Sequence, residues 1–296
     1  MKTQFINIVS SDNITHQGLL FSPENAQTEK IIIHIHGMAG NFYENSFIPV
    51  MAKYYTASNI SFLTFNNRGH DYICDCKRYN SDGSTESFSG GTAYEVLEDC
   101  VFDIEGAIAF AKKQGYREII LQGHSSGANK VVYSMSKKQM DIQRVILISP
   151  CDDIGVSIDA IGNDRRTELL NLAKDLVAKG KSNAFMPDGA FFSYPYTAKA
   201  YLDSFLDGSA LDMFPYRTPT SSFSEFASIS VPMLVIFGNN GEFLLQDSKL
   251  IFDLLNQKKH PHAKLSCQVI DGAPHSYTSK ENDLAHVIIN WVEDKI

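Results

Sequence analysis

The 296-residue chain has no apolar run long enough to cross a bilayer. It also has no surplus of positive charge: 26 Lys and Arg stand against 34 Asp and Glu, a net charge of −8, with no basic cluster. That balance excludes a surface built for the phosphates of nucleic acid. Cysteine is scarce. Cys74, Cys76, Cys100, Cys151 and Cys267 are an odd, scattered set, as expected of free thiols in a reducing compartment rather than of a disulfide framework. Cys74 and Cys76 have no second Cys/His pair at zinc-site spacing, so they read as incidental loop thiols. The opening residues, Met1-Lys2-Thr3-Gln4-Phe5-Ile6-Asn7, lack the apolar core and small-residue cleavage site of a signal peptide, and a cytoplasmic location is expected. Internal repeats and low-complexity stretches are lacking too. What remains, 44% hydrophobic and 20% charged residues, suits a globular protein with a sizeable core.

Strand and helix patterns alternate along the chain. Residues 4–9 and 14–21 read as a hairpin at a sheet edge. Ile31-Ile32-Ile33-His34-Ile35 has no polar alternation, as expected of a strand buried on both faces. A helix over 46–58 and a strand over Ile60–Phe65 follow. Residues 71–92 read as a long polar loop, and 93–114 as one amphipathic helix stopped by Gly115. Ile119-Ile120-Leu121 and Val145–Pro150 read as buried strands. Residues 151–228 break the rhythm with a helix near Glu168–Lys179 and proline-broken aromatic stretches around Phe191, Phe192, Tyr194, Phe214 and Tyr216. The rhythm resumes with strands over 231–237 and 264–270 and helices near 245–257 and 281–293. Strands alternating with helices predict a mostly parallel, doubly wound sheet, in which ligands bind at the carboxyl ends of the strands.

The stretch with the clearest chemistry is Gly123-His124-Ser125-Ser126-Gly127, between a strand and a helix. A serine on so sharp a turn needs small residues two places before and after it, which Gly123 and Gly127 supply. A serine hydroxyl needs a base within hydrogen-bond reach, and the base needs a group to hold its tautomer. His275, in a loop after the last strand, is the expected base; the His124 side chain is expected to point away. The oxyanion of an acyl intermediate needs N–H donors. Ser126 and Met38 are expected to provide them, with Gly37 and Gly40 letting the second turn approach closely. His34-x-His36 lacks the continuation of a metal site.

In these motifs the chain resembles a serine hydrolase of the α/β-hydrolase superfamily. His36-Gly37-Met38-Ala39-Gly40 is similar to its oxyanion turn and Asn67-Arg68-Gly69-His70 to its Arg-Gly loop. Gly272-Ala273-Pro274-His275-Ser276 is similar to its histidine loop. More narrowly, Gly90-Gly91-Thr92-Ala93-Tyr94-Glu95 and Ser149-Pro150-Cys151-Asp152-Asp153 resemble DUF1749-like hydrolases. The resemblance implies an α/β-hydrolase fold, with an eight-stranded sheet. Residues 1–150 and 229–296 would form the core and 151–228 a helical cap whose aromatics line the pocket. It also implies Arg68 at the substrate. The chain departs from the superfamily at the acid. Counting Gly-x-x-Asp from Gly238 puts Gly241 where the aspartate belongs, and Glu242 follows. The acid is therefore open between Glu242 and Asp153, which follows the preceding strand.

The expected activity is hydrolysis of a small-molecule carboxylic ester through an acyl-enzyme, with no metal or organic cofactor. The alternatives are thioester hydrolysis or acyl transfer, and, from another class, a ligand-binding protein on a hydrolase scaffold.

Overall fold

The computed structural model describes residues 1–24, 28–241 and 243–295. In chain order, β1 (Lys2–Val9) and β2 (Thr15–Ser22) form the expected antiparallel hairpin. Then come β3 (Lys30–Ile35), α1 (Phe47–Ala57), β4 (Ser61–Phe65), β5 (Cys74–Tyr79), β6 (Thr85–Gly90), α2 (Cys100–Lys113), β7 (Glu118–His124) and α3 (Ser126–Lys137). The second half runs β8 (Arg144–Ile148), α4 (Asp153–Ile161), α5 (Asn163–Ala178), α6 (Ala198–Phe205), α7 (Ser224–Ala227), β9 (Met233–Gly238), α8 (Ser248–Lys258), β10 (Leu265–Ile270) and α9 (Glu281–Val292).

Eight of these strands form one sheet in the order β1-β2-β4-β3-β7-β8-β9-β10. It is parallel from β4 to β10 and antiparallel at the β1–β2 edge. Because successive side chains point to opposite faces, each apolar run serves two cores. Ile31, Ile33 and Ile35 join Leu121, Val145 and Val235 against α2, α3 and α8. Ile32 joins Ile120, Ile146 and Ile236 against α1 and α9. Among the described residues, no helix is long and apolar enough to cross a membrane.

Two expectations are corrected. Residues 71–92 are not a plain loop, because β5 and β6 pair there as a separate two-stranded sheet. Its strands escape an apolar-pattern reading because Cys76 is the one side chain buried along β5. The helix expected from 93 begins at Cys100, after a short 3₁₀ turn at Leu97–Asp99. Segment 93–96 is bonded outward instead: Ala93 N–H donates to the Tyr72 carbonyl, and the Ala93 carbonyl accepts from Thr197 N–H. Within residues 151–228, side chains up to Leu211 cluster with Leu97 around Leu169, Tyr201 and Phe205, whereas Met213, Phe214, Tyr216, Phe223 and Phe226 belong to the sheet core.

Candidate active site

The junction of β7 and α3 is strained in the way the glycine spacing predicts. Ser125 sits at φ 57°, ψ −134°, a region non-glycine residues rarely adopt. The conformation is held by Ser125 N–H on the Ile148 carbonyl and by Ala128 N–H on the Ser125 carbonyl. A Cβ on Gly123 would lie 2.4 Å from the Gly127 carbonyl oxygen, and one on Gly127 would lie 2.2 Å from that of Ile35. The glycines thus allow both the turn and its seating on β3. Ser126 is the first residue of α3, where backbone N–H groups have no intrahelical acceptor.

The turn after β3 lies against this junction. A Cβ on Gly37 would stand 2.9 Å from the Ser125 Cβ and 3.4 Å from its Oγ. The fully buried His36 braces the turn. Its Nε2 accepts from Asn67 N–H at 3.0 Å, which makes Nδ1 the protonated nitrogen, donating to the Gly37 carbonyl at 2.8 Å. Burial, with Lys130 nearby, lowers the His36 pKa well below the usual range and so keeps this neutral tautomer. Further along, Ala39 N–H donates to Thr92 Oγ1, and Met38 Sδ accepts from Tyr196 Oη at 2.9 Å. Met38 is therefore tied to the helical insertion.

His275 follows β10 and lines the same cavity as Ser125. Its loop is stitched to the one after β9. Gly272 N–H donates to Asn239 Oδ1, Asn239 Nδ2 donates to Asp271, and Asn240 N–H donates to the Ala273 carbonyl. Asp271 is thereby committed to Asn239. The Phe243 ring meets the His275 ring edge-on at 4.9 Å. Glu242, the first acid candidate, lies outside the described residues. His124, expected to point away, lines the cavity and bonds the His275 carbonyl through Nε2 at 2.9 Å.

The cavity, about 430 Å³, is lined by Gly37, Met38, His124, Ser125, Asp153 and His275. Val156, Phe191, Phe192, Tyr194, Tyr72 and Phe243 line it as well. An aromatic belt runs from His275 through Phe243, Phe192 and Tyr194 to Tyr72, with centroid separations of 4.9 to 6.5 Å. Phe192 and Tyr194 therefore stand where the sequence placed them. Phe214 and Tyr216 do not, since they pack beneath the sheet. Tyr72 and Phe243 carry no motif and were found only in the structure.

Asp153, the second acid candidate, opens α4 and is buried, with Oδ2 accepting from Asn129 Nδ2 at 3.0 Å. Burial, and then the charge of Asp152, push its carboxyl well above the usual range. Asp152 is instead the N-cap of α4, accepting from Gly155 N–H while it binds Arg217. Arg68, expected at the substrate, is not among the residues lining this cavity. Its guanidinium pairs with Asp103, Asp12 and Asp99, and its N–H donates to Asp103. Burial works to raise the Asp103 carboxyl, but His16 and Arg68 together hold it far below the usual range. The Arg-Gly loop thus anchors the backbone behind the site. No group of three or more His, Cys, Asp or Glu among the described residues could hold a metal ion.

Solved structures with the same α/β-hydrolase fold include the siderophore hydrolase EstB from Aspergillus fumigatus, with TM-score 0.69 and 13% identity over 99% of this chain and 98% of that one. Est1E from Butyrivibrio proteoclasticus matches with TM-score 0.62 and 17% identity over 98% of each chain. The Pyrococcus furiosus esterase PF2001 matches with TM-score 0.61 and 13% identity over 99% of this chain and 90% of that one. No curated protein matches the sequence. Residues 83–295, most of the chain, match the family described as protein of unknown function DUF1749, and the chain belongs to that family.

Proposed function

We propose that the protein is a serine hydrolase that cleaves a small carboxylic ester through an acyl-enzyme intermediate. The observation that carries this reading is the backbone of Ser125. A serine held at φ 57° between strand and helix, opening into a cavity shared with a histidine loop, is strain kept for chemistry. In this reading Ser125 Oγ attacks the ester carbonyl and passes its proton to His275. The N–H groups of Ser126 and Met38 receive the oxyanion, Gly37 being small enough to bring the second turn close. The tetrahedral intermediate expels the alcohol, protonated by His275, and a water activated by the same imidazole releases the acid.

Glu242 is the proposed acid. Its support is that Phe243 touches the His275 ring and that the β9 and β10 loops are bonded together. Asp153 is retained as the second candidate because it shares the cavity. Residues 151–211 act as the cap and offer an aromatic wall to the acyl or alcohol group.

The test is labelling with a fluorophosphonate, followed by turnover of p-nitrophenyl esters and acyl-CoA thioesters of graded length. Ser125 is expected to be the labelled residue, and Ser125→Ala to lose about 10⁴-fold or more in ester turnover while folding normally. A chain that neither labels nor turns over either series is a binding protein. Preference for the CoA series makes it a thioesterase.

A further inference from the structure

Cys74 and Cys76 alternate along β5, so both side chains leave the same face of the hairpin. Their Sγ atoms are 3.9 Å apart. Gly90, paired with Cys74 across the hairpin, leaves the room: a Cβ there would lie 2.4 Å from the Cys76 Sγ and 3.3 Å from that of Cys74. Both cysteines line a cavity of about 350 Å³ with His16, His70 and Asp75. That cavity is separate from the one holding Ser125. The hairpin is otherwise polar and largely exposed, so the sulfurs are not filling an apolar core.

We propose that Cys74 and Cys76 are a redox-responsive pair, closed to a disulfide by a hydroperoxide and reopened by a thiol. Cys76 is the attacking sulfur. The contact with Cys74 holds its thiol below the ordinary range against burial, with His16 assisting, while the same contact pushes Cys74 up. The Cys76 thiolate attacks one peroxide oxygen. An S–O bond forms, the O–O bond breaks, and the departing hydroxide takes a proton to leave as water. Cys74 then attacks the Cys76 sulfenic sulfur, the S–S bond forms, the S–O bond breaks, and the Cys74 proton leaves in a second water. Two thiols and one hydrogen peroxide give one disulfide and two waters, with two electrons passing from sulfur to oxygen. Alternate residues of a strand have Cα and Cβ atoms about 6.6 Å apart, beyond the roughly 3.5–4.5 Å Cβ separation of a disulfide, so β5 must bend at Asp75 for the bond to close. The bond is therefore strained, and strained disulfides are the readily reduced ones.

The experiment uses the reduced full-length protein and hydrogen peroxide. Thiols titrated after denaturation should fall from five to three. The tryptic peptide covering residues 69–77 should become lighter by two hydrogens and recover with dithiothreitol. In Cys74→Ser, Cys76 should stop at the sulfenic acid and be trapped by dimedone. A wild-type 69–77 peptide that keeps its reduced mass, or that only gains oxygen, overturns the proposal whatever happens at Cys151 or Cys267. Absence of dimedone at Cys76 in the variant overturns its role as the attacking sulfur.

Discussion

The Nε2 of His124 donates to the main-chain oxygen of His275 across 2.9 Å, joining the residue before the proposed nucleophile to the proposed base. The His124 ring is itself set by edge contacts with Phe47 and Tyr277. The bond fixes where the histidine loop sits relative to the serine turn.

His124→Phe keeps a ring of similar size and removes that donor from the His275 carbonyl. Loss of one such hydrogen bond costs about 0.5–1.5 kcal/mol. If the strain is taken up by the loop, kcat falls roughly tenfold or more with little change in KM. An unchanged kcat with a lowered melting temperature would make the bond purely structural.

The two acid candidates separate by kinetics. If Glu242 orients His275, Glu242→Gln should lose on the order of 10⁴ in rate, and Asp153→Asn should be mild. The swapped result assigns the role to Asp153. Equal, small losses in both would leave Ser125 and His275 working as a dyad. One activated ester, assayed at fixed pH, is enough for all three outcomes.

Asp153 also makes a prediction about stability. Its raised carboxyl means that the folded chain keeps a proton that the unfolded chain releases above about pH 4. The group therefore opposes folding more as pH rises from there. Asp153→Asn removes that opposition and keeps an oxygen for Asn129. Its urea midpoint should exceed that of the wild type at pH 8, and the gap should close toward pH 4.5. A gap that is constant with pH would contradict the sign.

Within the aromatic set, position divides function from packing. Phe192 is 43% exposed on the cavity wall, whereas Tyr216 is 1% exposed in the sheet core. Phe192→Ala should shift chain-length preference with a small change in melting temperature. Tyr216→Ala should destabilise by about 3–5 kcal/mol, in the range of large-to-small core changes, and leave the preference alone. Profiles of ester length and thermal melts on both variants check the ranking.

The sequence by itself determined whatever depends on neighbours in the chain. The Ser125 turn could be read because its steric demand acts over two residues on each side, at Gly123 and Gly127. The sheet strands could be read because Ile31–Ile35 and Met233–Phe237 are apolar on both faces, and α9 because Leu284, Ile288 and Trp291 recur at helical spacing. Tertiary structure decided the rest, because it rests on pairings between distant polar groups that no local period encodes. Arg68 looked like a substrate residue until Asp103, from α2, took its charge into the interior. The β5–β6 hairpin lacks an apolar face and is made by its ladder, not by a pattern. Tyr216 and Tyr194 each stand beside a proline and further aromatics, yet one is drawn under the sheet and the other left on the cavity. Only the path of the chain after α6 distinguishes them, because burial depends on which surface a segment meets rather than on how apolar it is.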